Sequence, residues 1–217
     1  MDIRGHGASG VKGSIGYIGQ LEDDLASFMK TVALAKPATL VGFSSGGGFA
    51  LRFAGSQRQD IFQSYLLLSP FLGADAPNTR PDSGGWVNVG IPRIIALSVL
   101  NRLGIRAFND LPVMSFALSD EAKKFLTPTY SFSLASNFGP QRDYAANIRA
   151  VHQPVAILAG SSDEAFKTEM LGGIVRKQGQ SWPVTLLPGI GHIPLTLDPV
   201  PVGASIKAVE ALSNRGV

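Results

Sequence analysis

Three residues of this 217-residue chain have the types and settings needed to attack an acyl group together: Ser44, Asp163 and His192. Gly42-Phe43-Ser44-Ser45-Gly46 fits G-x-S-x-G, the pattern of a serine on a sharp strand-to-helix turn. The spacing has a steric reason. In so tight a turn, the residues two before and two after the nucleophile must be nearly free of side chain. Ser44 satisfies this register, whereas Ser45 would put Phe43 at a small-residue position. The turn lifts the hydroxyl above the sheet. The next helix then aims its N-terminal amides and dipole at negative charge developing on a substrate. A glycine-rich turn without chemistry could carry the same letters, so the serine needs partners.

A serine hydroxyl needs a base, and the base needs an acid that orients it. Of three histidines, His192 lies in the loop Gly189-Ile190-Gly191-His192-Ile193-Pro194, just after an apolar run, where it can reach over a sheet. His6 sits in a glycine-rich turn that it would help to shape, and His152 precedes Pro154 and a strand and reads as surface. For the acid, Gly160-Ser161-Ser162-Asp163-Glu164 follows another apolar run, and strand ends of this kind form the ligand crevice of open α/β sheets. Asp163 is the choice. Glu164 is the neighbouring alternative, and Asp198, beyond the histidine, is a weaker one. Asp163 could instead cap the helical stretch expected after it, and one aspartate would not easily do both jobs.

The elements that must hold these residues follow from periodicity. Residues 1–16 are glycine-rich and read as a loop. Leu21, Leu25, Phe28, Met29 and Val32 recur at steps of three and four, a helical face, with Glu22, Asp23 and Asp24 suited to the positive end of its dipole. Pro37 ends that segment. Residues 39–43, 64–69, 154–160 and 183–188 are mostly apolar without alternation, as parallel strands covered on both faces are. Helical stretches are expected at 49–54, 165–177 and 202–213. Strands alternating with helices make the fold class α/β, a mostly parallel sheet with helices on both faces. The alternation breaks over 73–150, too long for a loop, with helix-like pieces such as 94–100. That stretch is expected to be a mostly helical insertion, dividing the chain into a core of 1–72 plus 151–217 and an inserted region of 73–150.

Composition agrees. Hydrophobic residues make up 45% and charged residues 16%, which excludes disorder and permits a buried core. The 19 basic and 16 acidic residues leave a net charge of only +3 with no Lys/Arg run, against nucleic-acid binding. The absence of cysteine excludes disulfides, thiolate metal sites and a cysteine nucleophile. The chemistry needs no metal or cofactor, and none is expected. No window reaches the ~18 apolar residues of a membrane span, and the first residues lack signal-peptide shape. The expected setting is the cytoplasm.

The order Ser44, Asp163, His192, each after its own strand, resembles that of the α/β-hydrolase superfamily, in particular the lysophospholipase- and monoacylglycerol-lipase-like branch that also holds the serine aminopeptidases. Asp2-Ile3-Arg4-Gly5-His6-Gly7-Ala8-Ser9 is similar to the family's D-x-R-G-H-G-x-S segment, and Gly42-Phe43-Ser44-Ser45-Gly46-Gly47 to its nucleophile elbow. The resemblance implies a carboxylic ester hydrolase with a small-molecule ester substrate, a Ser44–His192–Asp163 triad, and the backbone N–H of Ser45 in the oxyanion hole. It also implies that 73–150 is a cap shaping substrate choice. Trp86, Phe108, Phe116, Phe125, Phe132 and Phe138 in that region would favour an apolar acyl group, or form the region's own core. In the family, three strands and a helix precede the D-x-R-G-H-G segment, which here begins at residue 2. The resemblance therefore implies that Met1 is an internal methionine or the gene is truncated, that the second oxyanion donor is missing, and that strand 39–43 is an uncovered edge. An inactive remnant or binding module is the competing expectation, and amide hydrolysis stays open because the same triad serves it.

Overall fold

The computed structural model describes residues 2–32, 36–80, 85 and 87–214. In chain order the elements are α1 (Gln20–Val32), β1 (Thr39–Phe43), α2 (Ser45–Ala54), β2 (Ser64–Leu68), β3 (Val87–Val89), α3 (Ile91–Arg102), β4 (Pro112–Phe116), α4 (Ala122–Phe125), β5 (Thr129–Ser131), α5 (Phe132–Asn137), α6 (Tyr144–Ala150), β6 (Val155–Gly160), α7 (Leu171–Lys177), β7 (Val184–Leu187), α8 (Pro194–Leu197) and α9 (Pro199–Ser213). They form two compact units, residues 28–81 with 139–217, and residues 1–27 with 82–138.

The first unit is built on a four-stranded parallel sheet in the order β1-β2-β6-β7. β2 and β6 are buried along their whole length, which is why their sequences are apolar almost throughout, with Ser64 the polar exception. Alternate side chains still serve opposite faces. Leu66 and Leu68 pack with Ala156, Leu158, Leu195 and Leu212 on the α9 side. Tyr65 points the other way, its ring against Phe62, which in turn meets Phe53 of α2. The expected strands all form, each within a residue or two of its expected limits. The helix expected over 165–177 is shorter: a 3-10 turn at Thr168–Met170 leads into α7. β1 is an edge strand among the described residues, and its Val41 is 44% exposed. No helix among the described residues is long and apolar enough to cross a membrane.

In the second unit the helices of the inserted region are accompanied by a three-stranded antiparallel sheet, β3-β4-β5, which the helix-like runs of the sequence do not announce. Its strands are only three to five residues long, too short for a clear alternation. Leu97, Val113 and Phe132 form the core beside them. Phe132 is therefore core and Phe108 and Phe125 are mostly exposed, while Trp86 lies outside the described residues. The boundaries also differ from expectation, because residues 1–27 belong with this unit rather than with the parallel sheet. The reason is hydrogen bonding along the glycine-rich loop. Thr127 Oγ1 donates to Gly5 O (3.0 Å), Ser131 N–H to Gly13 O (2.8 Å) and Ser133 Oγ to Ile15 O (2.9 Å).

His6 anchors the same loop. Its Nδ1 lies 3.3 Å from the Arg4 carbonyl, which can only accept, so Nδ1 carries the proton and Nε2 accepts from Tyr130 O–H at 2.8 Å. Its ring packs on Tyr130 and Phe138. Burial pushes the His6 pKa below the ordinary 6.5, outweighing the opposing pull of the Arg4 and Ile3 backbone. The unfolded chain therefore takes up a proton that folded His6 resists, so stability is full above about pH 6.5 and falls as the pH drops below it. His6→Gln keeps an acceptor for Tyr130 and does not titrate. Urea unfolding should give it a flatter stability profile than the wild type between about pH 7 and pH 5, and equal slopes would refute the linkage.

Candidate active site

All four parallel strands end at one rim, and the loops leaving that rim carry the residues singled out by type and spacing. Ser44 directly follows β1, with φ 53° and ψ −120°. This is a strained conformation for a serine, held because its N–H donates to Leu68 O (2.9 Å) and its carbonyl accepts from Phe71 N–H (3.0 Å). The demand for small neighbours is explicit: a Cβ on Gly42 would lie 2.2 Å from the Gly46 carbonyl oxygen. Ser45 opens α2, so its N–H has no carbonyl within the helix to bond.

His192 follows β7, and Asp163 follows β6. Ser44 Oγ is 3.0 Å from His192 Nε2, and His192 Nδ1 is 2.8 Å from Asp163 Oδ2. Asp163 and His192 are 3% and 7% exposed, so the pair is shielded from water, while Ser44 is half-buried. The carboxylate accepts from imidazole Nδ1–H, which leaves Nε2 free to accept from the serine hydroxyl. Asp163 meets the imidazole and the backbone of the following turn at the same time. Oδ1 accepts from Ala165 N–H and Phe166 N–H, both at 2.8 Å, while Oδ2 takes the imidazole. It can do so because it caps a turn, not a helix, leaving its second oxygen outside the cap. Burial alone would raise its pKa. The hydrogen bond and charge of His192 outweigh that, helped by the Phe166 N–H, and hold the carboxyl below the ordinary 3.8.

Glu164, the alternative acid, does not meet the imidazole in a hydrogen bond; its Oε2 accepts from the backbone N–H of His192 at 2.9 Å. Asp198 leads into α9, His6 belongs to the other unit, and His152 is exposed. Three neighbours carry no signature in the sequence. The rings of Phe43 and Phe166 flank His192, with centroids 4.6 and 5.2 Å away. Ser69, fully buried at the end of β2 with φ 37°, sits beside Asp163 with its hydroxyl outside hydrogen-bond geometry. Their one legible signal is position, since Ser69 directly follows a strand of the same sheet.

A parallel sheet with a strained serine after one strand and a hydrogen-bonded Asp–His pair after two others defines an α/β-hydrolase. The chain belongs to the family described as serine aminopeptidase, S33, which it matches over residues 1–196. No curated protein matches it in sequence. Among solved structures it is similar to a monoacylglycerol lipase of Paleococcus ferrophilus (TM-score 0.67, 19% identity, 98% of this chain and 81% of that one). It is also similar to a thermophilic esterase of Thermogutta terrifontis (0.63, 20%, 98% and 79%) and an enol-lactonase of Burkholderia xenovorans (0.60, 18%, 97% and 78%). At these identities the likeness is one of fold.

Gly42→Ala forces a methyl group to 2.2 Å from a backbone oxygen, and the elbow must shift. The thermal midpoint should fall by roughly 2–12 °C. Gly173→Ala, on an exposed turn of α7 with nothing within 4 Å, should leave the midpoint level or raise it. Differential scanning fluorimetry of the two variants checks both, and an unchanged Gly42→Ala would contradict the elbow geometry.

Proposed function

We propose that the chain is a serine hydrolase that cleaves carboxylic esters with a lipid-like or otherwise apolar acyl group, through an acyl-enzyme intermediate. The observation that carries this reading is the unbroken hydrogen-bond chain from Ser44 Oγ through His192 to Asp163. Ser44 Oγ attacks the acyl carbon while His192 Nε2 takes its proton. The tetrahedral oxyanion forms beside the N-terminus of α2, where Ser45 N–H donates to it. As the intermediate collapses, the ester C–O bond breaks and the imidazolium returns the proton to the leaving alkoxide. Water then attacks the acyl-enzyme by the same route and releases the carboxylic acid. Asp163 keeps the imidazole in the productive tautomer and stabilises its charged form. Ester chemistry is favoured by three of the structural relatives, which are named as a lipase, an esterase and an enol-lactonase. An apolar acyl group suits the aromatic rings of Phe43 and Phe166 beside His192.

Amide hydrolysis is the second reading, favoured by the family's own description as serine aminopeptidase. Paired assays on p-nitrophenyl esters of rising chain length and on aminoacyl p-nitroanilides separate the two. The ester reading expects turnover of the esters to exceed that of the anilides.

Ser44→Ala should abolish fluorophosphonate labelling and lower kcat by roughly 10⁶-fold. Ser45→Ala should be mild, because only its backbone N–H is used. Asp163→Asn should lower kcat by about 10⁴-fold with the fold retained, by favouring the wrong imidazole tautomer. A wild-type protein that neither labels nor turns over ester would favour an inactive binding module instead.

A further inference from the structure

Two carboxylates stand side by side after β6, and both are spent on one residue. Asp163 Oδ2 takes the imidazole of His192, and Glu164 Oε2 takes its backbone N–H at 2.9 Å. Glu164 is otherwise an exposed side chain, which would ordinarily extend into water, yet it turns one oxygen inward across a separation of 28 residues. The loop it reaches needs external support. Residues 188–193 contain two glycines within three positions, have no regular structure, and carry Gly189 at φ 71°. A glycine-rich loop loses much conformational freedom when one geometry is imposed on it.

The lacing between the β6 and β7 loops supplies that support. Ser161 N–H donates to Leu187 O (2.9 Å), Ser162 N–H to Ile190 O (3.0 Å) and Gly189 N–H to Ser161 Oγ (2.9 Å). The loops approach so closely that a Cβ on Gly160 would sit 2.0 Å from Ile190 O, and one on Gly191 would sit 3.1 Å from Glu164 Oε2. The Glu164 bond is the last of the series and falls on the residue that carries the imidazole. A buried N–H without a partner is costly, and His192 is 7% exposed, so this bond also satisfies a donor with little access to water.

We infer that Glu164 is a positioning residue for His192: its side-chain oxygen fixes the backbone height from which the imidazole reaches both Ser44 and Asp163. This role rests on the triad proposed above. It requires an acceptor at the right reach, not a charge, so amide and carboxylate of equal length should serve alike. A carboxylate one methylene shorter should fail.

The test measures kcat per active site, with sites counted by fluorophosphonate titration so that any misfolded fraction drops out. Glu164→Ala and Glu164→Asp should each lower kcat per site by about tenfold or more with KM little changed, since small misplacements of a catalytic group are felt strongly. Glu164→Gln should stay within about threefold of the wild type, because it keeps the acceptor oxygen. Should Glu164→Ala fold poorly, the Gln and Asp pair still decides. Wild-type kcat per site in Glu164→Ala or Glu164→Asp, or a Glu164→Gln as slow as Glu164→Asp, overturns the positioning role. Ser44→Ala, run alongside, separates the two readings. If it is dead while Glu164→Ala is fast, only this role falls. If it labels and turns over normally, the triad falls and this role with it.

Discussion

The bond between His192 Nδ1–H and Asp163 Oδ2 governs the rim of the parallel sheet. A neutral imidazole has one donor and one acceptor, so committing the donor to a carboxylate leaves only the acceptor to face Ser44. The bond therefore selects a tautomer as well as an orientation. It lasts because Asp163 stays ionised: burial works against the charge, but the imidazole and the Phe166 N–H more than offset it. The division of labour between the two oxygens of Asp163 ties the histidine to the turn at 163–166, which is itself fixed to the end of a fully buried strand.

What brings these groups to one place is strand direction. β1, β2, β6 and β7 are parallel, so Ser44, Ser69, Asp163 and His192 emerge on the same side although they are scattered over nearly 150 residues of sequence. Strain is concentrated there too. Ser44 and Ser69 are the two non-glycine residues of positive φ among the described residues, and each directly follows a strand of this sheet. The core beneath, packed from both faces, is what can hold such conformations in place. Close approach is made possible by missing side chains: Gly42 lets the elbow close, and Gly160 lets the histidine loop lie against the acid loop.

The other unit follows different physics. Its short antiparallel strands and its helices enclose a small core, and the glycine-rich loop at 2–19 is held by side chains from 127–137. His6, a histidine in a motif, is there a buried structural group whose tautomer is set by a backbone carbonyl and a tyrosine. Tyr130 is correspondingly hard to ionise, its pKa pushed up to about 12 by burial.

The parallel sheet and the turn that carries Ser44 are legible in the sequence alone, because both are written locally. Buried strands such as 64–69 and 154–160 are dominated by apolar residues without alternation, and the elbow of Ser44 demands glycines at fixed offsets whatever surrounds it. Tertiary structure decided everything that depends on two distant segments meeting. Asp163 and Glu164 are adjacent carboxylates, and the sequence favours the first without assigning any contact to the second. Only the approach of the β7 loop gives one the imidazole and the other the amide. The flanking of His192 by Phe43 and Phe166, the sheet within the inserted region and the membership of residues 1–27 were hidden for the same reason. A contact between segments far apart in the chain leaves no period and no spacing in either of them.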